Sequence, residues 1–252
     1  MLQTPTLDKM NQMKLFGMRE ATERITHQAM EKKLAYSDFL GLLVEEEWSY
    51  RENKKLKKRL KKATLKQPVA LADLDYTSKR EIKKAFIEEL STCRFIEQHT
   101  NILITGPTGS GKSFIASALG FEACMKGFEV LYKRSTQIMD KLLASRGDGS
   151  YQRIFKQFVT PDILIIDDWG LKPLSPQDRM ELYEILEERY QKGSVIITSQ
   201  VPIKNWVDTI GDPVIAEAIV DRLFHNAHKI TLAGDQGSYR KKMAERLKQK
   251  AA

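Results

Sequence analysis

With 252 residues, 42% hydrophobic and 29% charged, the chain has an ordinary globular composition, as one large domain or as a small domain appended to a larger one. No apolar run approaches the roughly 20 residues needed to cross a membrane. The start, Met1-Leu2-Gln3-Thr4-Pro5, lacks the basic-then-apolar order of a secretory signal. Cys93 and Cys124 are too few for a zinc cluster or a disulfide framework, so a cytoplasmic protein without a membrane partner is expected. The net charge of +8 is segregated into +6 over residues 1–66, −3 over 67–237 and +5 over 238–252. Basic ends around a mildly acidic middle suggest a polyanionic partner, nucleic acid first.

Residues 6–62 hold no glycine-rich loop and no β-branched run. Phe39, Leu40, Leu43, Val44 and Trp48 recur at helical spacing, with Ser37 as the expected N-cap. The helix continues into RENKKLKKRLKK (51–62), which carries eight basic residues and one acid. Its Lys54, Lys55, Lys57, Lys58, Arg59, Lys61 and Lys62 surround the helix and suit sequence-independent contacts with the phosphates of double-stranded DNA. Residues 1–66 read as a small all-helical domain, and Pro68 with a change of period marks a linker over 67–77.

From residue 78 helix and strand alternate to the end of the chain. Short β-branched runs at 102–105, 130–132, 163–166, 195–198 and 229–232 predict a five-stranded parallel sheet between helices, an α/β fold. After the first run comes GPTGSGKS (106–113), which fits G-x-x-x-x-G-K-[ST] in full. Gly106, Pro107, Thr108, Gly109, Ser110 and Gly111 would turn backbone N–H groups toward phosphates at a helix N-terminus. Lys112 would neutralise the β/γ-phosphates of ATP, and the Ser113 hydroxyl would take a Mg²⁺ position. Gly127 would end the following helix. In ILIIDDW (163–169), four apolar residues bury a strand and two acids emerge at its carboxyl end, where open α/β sheets place their ligands. Asp167 is the expected second Mg²⁺ ligand, and Asp168 can orient or deprotonate an attacking water.

These residues resemble the AAA+ ATPases, and within them the IstB-like transposition helper proteins, cousins of the DnaC-type helicase loaders. The resemblance rests on LVEEEWSYRENKKLKKRLKKA, ILITGPTGSGKSFIASALGFEAC, DILIIDDWG, GDPVIAEAIVDRLFHNA and GSYRKK, and covers nearly the whole chain. It implies an AAA+ P-loop core with a helical N-terminal domain, and an ATPase that assembles with itself as a ring or spiral on DNA and assists a transposase; a helicase loader is the alternative. It implies a polar sensor at Gln200 in TSQ (198–200), where many relatives carry Asn. It also implies an arginine finger at Arg222 that reaches the next subunit's nucleotide, and a second nucleotide-site arginine at Arg240. Asp168 departs from the commoner Asp-Glu pair. The segment 133–158 resembles the extra helix of the initiator and loader branch, which makes Lys133, Arg134, Lys141, Arg153 and Lys156 further DNA candidates. Trp48, Trp169 and Trp206 are expected in the core or at interfaces. A small-molecule kinase would share the P-loop but needs neither the basic helix nor a finger in trans.

Overall fold

A computed structural model describes residues 4–67, 69–74 and 83–233. Arg240 and the basic tail lie outside the described residues. The chain divides into two compact units after Lys58.

The smaller unit is helical: α1 (Thr4–Gln12), α2 (Phe16–Lys32) and the greater part of α3 (Tyr36–Ala63). Ala21 and Ile25 of α2 bury against Leu43 of α3, with Met18, Phe39 and Leu42 around them. The N-terminus of α2 has no side-chain cap of its own. Glu47 of α3 supplies one, its Oε2 accepting from the amides of Gly17 (2.7 Å) and Met18 (3.2 Å) while Oε1 accepts from Arg51. A carboxylate placed there meets both the orphan amides and the positive end of the helix. The helix α3 begins at Tyr36, because the Ala35 carbonyl already accepts the Phe39 N–H. Ser37 therefore lies inside the first turn and is not the N-cap. The apolar stripe also splits: Leu43 is buried, whereas Leu40, Val44 and Trp48 are 50% or more exposed. Trp48 is therefore not a core residue.

The larger unit begins with the last turn of α3. There Arg59 Nε donates to the Cys124 carbonyl at 3.0 Å and Lys62 pairs with Glu129 at 2.5 Å. A short 3₁₀ turn (Leu71–Asp73), α4 (Lys84–Ser91) and α5 (Arg94–Glu97) lead to β1 (Asn101–Thr105). Cys93 is buried but non-helical, at φ +63° between α4 and α5. Then come α6 (Lys112–Met125), β2 (Val130–Arg134), α7 (Ser135–Gly147), α8 (Tyr151–Val159), β3 (Ile163–Trp169), α9 (Pro176–Arg189), β4 (Ser194–Ser199), α10 (Trp206–Ile210), α11 (Pro213–Phe224) and β5 (Ala227–Thr231).

The strands form one parallel sheet in the order β2-β3-β4-β1-β5. Every residue of β1 and β4 is buried, the mark of a sheet covered on both faces. Trp169 and Trp206 are core, their rings tilted at 49° with centroids 5.9 Å apart and Phe224 beyond. At the amino ends of β3 and β4 the buried guanidinium of Arg189 donates to five carbonyls, those of Phe158, Val159, Pro161, Asp162 and Ser194. Burial pushes this arginine down to about 10, partly offset by the charge of Asp162. Among the described residues no helix is long and apolar enough to cross a membrane.

Candidate functional site

The loop from β1 to α6 passes through positive φ at Gly106, Gly109 and Gly111. Gly106 is also required by space: a Cβ there would lie 2.5 Å from the Leu232 carbonyl oxygen. Gly111 caps α6, so the first amides of that helix face the end of β1. Lys112 Nζ donates to the carbonyls of Gly106 (2.7 Å) and Pro107 (2.8 Å), which holds the ammonium across the loop mouth. Burial lowers the Lys112 pKa, partly offset by Asp168 and Asp167, and Lys66 lowers it further. Ser110 Oγ is buried without a hydrogen-bond partner inside this loop.

Asp167 is fully buried at the end of β3. Its Oδ1 accepts from Ser113 Oγ at 2.8 Å and from Thr198 Oγ1, and its Oδ2 accepts from the Tyr132 hydroxyl and from Lys66 Nζ at 3.2 Å. Burial raises this carboxyl, but hydrogen bonds from Thr198, Tyr132 and Ser113, with the Lys66 charge, hold it below the usual range. The same surroundings push the Tyr132 hydroxyl up, burial first and the bond to Asp167 second. Tyr132 and Lys66 both touch Asp167, yet sequence reasoning missed them. No motif marks them; Lys66 lies 101 positions from the carboxylate it touches.

A bulge separates the two acids. Between Ile166↔Ile197 and Trp169↔Ser199, β3 carries one residue more than β4. Asp168 takes up the excess at φ +59°, a left-handed conformation that Asp tolerates better than most residues. Thr198 Oγ1 accepts the Asp168 amide and Ser199 Oγ donates to the Trp169 carbonyl. The bulge leaves the Asp167 side chain buried and the Asp168 carboxylate partly open, 3.9 Å from Arg134 Nε. Gln200 follows β4, and its Oε1 accepts from Thr108 Oγ1 at 2.6 Å, so the predicted sensor lies against the phosphate loop.

The donor set fits a magnesium nucleotide. The glycine-turned loop, the N-terminus of α6 and Lys112 come together at the end of β1. A hydroxyl and a carboxylate sit side by side as hard oxygen ligands. Mg²⁺ takes one or two protein oxygens and fills its octahedron with phosphate and water, so two protein ligands suffice.

Arg222 lies elsewhere. Its backbone carbonyl accepts from Asn101 at the amino end of β1, whereas the phosphate loop leaves the carboxyl end. Its guanidinium bonds Glu187, the Ala218 carbonyl (3.0 Å) and Tyr183 Oη (3.3 Å), and stacks 4.9 Å above the Tyr183 ring. It borders a cleft of about 620 Å³ with Asn101, Arg189, Gly193 and His225.

The basic candidates divide into separate groups. Lys54 lies over the Phe16 ring at 5.6 Å and Lys55 pairs with Glu52 at 2.8 Å, while Lys57, Lys58 and Lys61 are exposed. Arg59 and Lys62 make the internal contacts given above. In the larger unit, α7 and α8 bracket the Gly-Asp-Gly turn, and Lys141 Nζ donates to Gln157 at 2.7 Å. Burial lowers the Lys141 pKa, and the nearby charges of Lys133 and Arg153 lower it further. Arg153 and Lys156 are exposed on α8.

Comparison with known proteins gives a consistent picture. The family described as "IstB-like ATP binding protein" matches residues 8–247. A Sinorhizobium fredii protein named for ATP binding in an insertion sequence is 45% identical over 235 residues, 93% of this chain and 96% of its own. AMPPCP-bound DnaA from Aquifex aeolicus superposes with a TM-score of 0.56 at 18% identity, over 74% of this chain and 56% of that one. DnaI superposes with the same TM-score and identity over 65% and 90%. At that identity the two structures speak for the fold alone.

Proposed function

The chain belongs to the IstB-like ATP-binding protein family, with an AAA+ core behind a helical N-terminal unit, and from that premise we propose an ATP-switched assembly factor that binds duplex DNA and serves the transposase of an insertion sequence. The observation that carries the reading is the opposition along β1 of the phosphate loop at one end and Arg222 at the other. A five-residue strand spans roughly 16 Å, so Arg222 cannot reach its own chain's nucleotide. It is useful to ATP chemistry only in trans, which requires assembly.

In this reading Lys112 and the α6 amides hold the phosphates, and Ser113 and Asp167 hold Mg²⁺, which neutralises phosphate charge when bound. Asp168 accepts a proton from the attacking water and Gln200 orients that water. Arg222 leaves Glu187 to stabilise charge on the neighbour's phosphates. Arg240, on the basic tail, is proposed as a second arginine of the nucleotide site. Lys54, Lys55, Lys57 and Lys58 on the smaller unit, with Lys61, Lys133, Arg134, Lys141, Arg153 and Lys156 on the larger, supply phosphate contacts. Arg59 and Lys62 contribute there only if they leave Cys124 and Glu129. The name of the Sinorhizobium relative favours transposition over helicase loading.

Complementation tests the reading. Arg222→Ala and Lys112→Ala should each lose DNA-stimulated hydrolysis, and mixing them should restore part of it, because mixed neighbours rebuild an intact site. Wild-type hydrolysis by Arg222→Ala alone would remove the finger.

A further inference from the structure

Lys66 is delivered to Asp167 by a fixed piece of chain. Ala63 is fully buried at the end of α3. Thr64 turns through φ +51°, uncommon for a β-branched residue, and its hydroxyl donates to the Tyr132 carbonyl at 2.9 Å. Leu65 packs into the space left by Gly120, where a Cβ would lie 2.9 Å from Leu65 Cδ2. The next side chain is only 26% exposed and places its ammonium 3.2 Å from Asp167 Oδ2. A lysine loses much rotamer freedom when held this way.

Asp167 offers one negative charge. Its Oδ1 faces the Ser113 hydroxyl and its Oδ2 faces Lys66. An ammonium and a dication drawing on the same buried carboxylate oppose each other, because charges interact strongly away from bulk water. Lys112 already supplies the cation that phosphate neutralisation needs, so a second lysine on the metal carboxylate has another use. We propose that Lys66 is a positioning residue that competes with magnesium for Asp167, so that it sets the metal concentration at which the nucleotide site is completed. Completion of the site frees the Lys66 ammonium from Asp167. The inference rests on the reading of Ser113 and Asp167 as the metal pair, and gives that site a metal threshold.

The test uses the full chain and a fluorescent ATP analogue, titrated with Mg²⁺. Lys66→Met should lower the magnesium midpoint about fivefold, the weight of one modest ion pair. Lys66→Arg should stay within about twofold of wild type, since it keeps the charge. Affinity for the analogue in EDTA should be unchanged in both. An unmoved or raised midpoint in Lys66→Met overturns the proposal. Weaker binding of that variant in EDTA also overturns it, by making Lys66 a phosphate ligand. Should Lys66→Met fail to fold in a thermal melt, Lys66→Gln carries the same prediction. Absence of any magnesium dependence in wild type, or full analogue binding by Lys112→Ala, would sink the nucleotide-site reading itself. Magnesium-dependent wild type with indifferent Lys66 variants sinks only this inference.

Discussion

Gly106→Ala tests the construction of the phosphate loop directly. Alanine there meets two costs. The backbone stands at φ +150°, a region nearly confined to glycine, and holding another residue in it costs about 1–3 kcal/mol. The new Cβ would also lie 2.5 Å from the Leu232 carbonyl oxygen and 3.1 Å from Ser110 Oγ. The Leu232 amide is tied to the Thr105 carbonyl at 2.7 Å, which keeps that residue beside the loop. Overpacking of this kind adds about 1–3 kcal/mol, for a total near 4 kcal/mol. In a chain of this size that lowers Tm by about 12 °C. Gly127→Ala is the control: φ is also positive, +101°, but nothing lies within 4 Å of its Cβ, so only backbone strain remains, about 1–2 kcal/mol. Urea unfolding of both variants, with binding of a fluorescent ATP analogue, reads the difference. Equal losses in the two would refute the close approach as the reason for glycine at 106.

Two further outcomes concern the scaffold. Arg189→Met should cost about 4 kcal/mol in urea unfolding, since five carbonyls, three of them in buried bonds, lose a charged donor while the buried guanidinium is relieved of its desolvation; a loss below about 1 kcal/mol would deny the staple. Glu47→Gln should cost the smaller unit about 2 kcal/mol, read as faster hydrogen exchange of the α2 amides. Burial pushes Glu47 up, but Arg51 and the amides of Met18 and Gly17 hold it below the usual glutamate value. Its contribution is therefore present above the ordinary glutamate range and lost as pH falls through the lower folded value, and the glutamine variant should show no such loss.

What could be read in advance was local. GPTGSGKS, its flanking strand and helix, and the five β-branched runs carry their meaning within a dozen residues, and the sheet has the parallel order that alternating helix and strand predict. The AAA+ core and its family were legible for the same reason. What escaped depends on partners far along the chain. The extra residue at Asp168 exists only because β4 fixes the register against β3. Lys66 and Tyr132 converge on Asp167 from two further segments. Periodicity counted Leu40, Val44 and Trp48 with Leu43, but α2 packs only against the Leu43 side of that stripe. Arg59 and Lys62 read as phosphate contacts because charge is visible in a sequence, whereas the Cys124 carbonyl and Glu129 they bind are not.

The central claim, an ATP-switched assembly on DNA, is tested most directly by sedimentation of the full chain with duplex DNA. Wild type and Lys112→Ala would be compared with and without ATP and Mg²⁺. The account predicts large protein–DNA particles for wild type only when nucleotide and metal are both present. Lys112→Ala should fold normally and remain small throughout. Particles of equal size from Lys112→Ala, or from wild type without ATP, would contradict it.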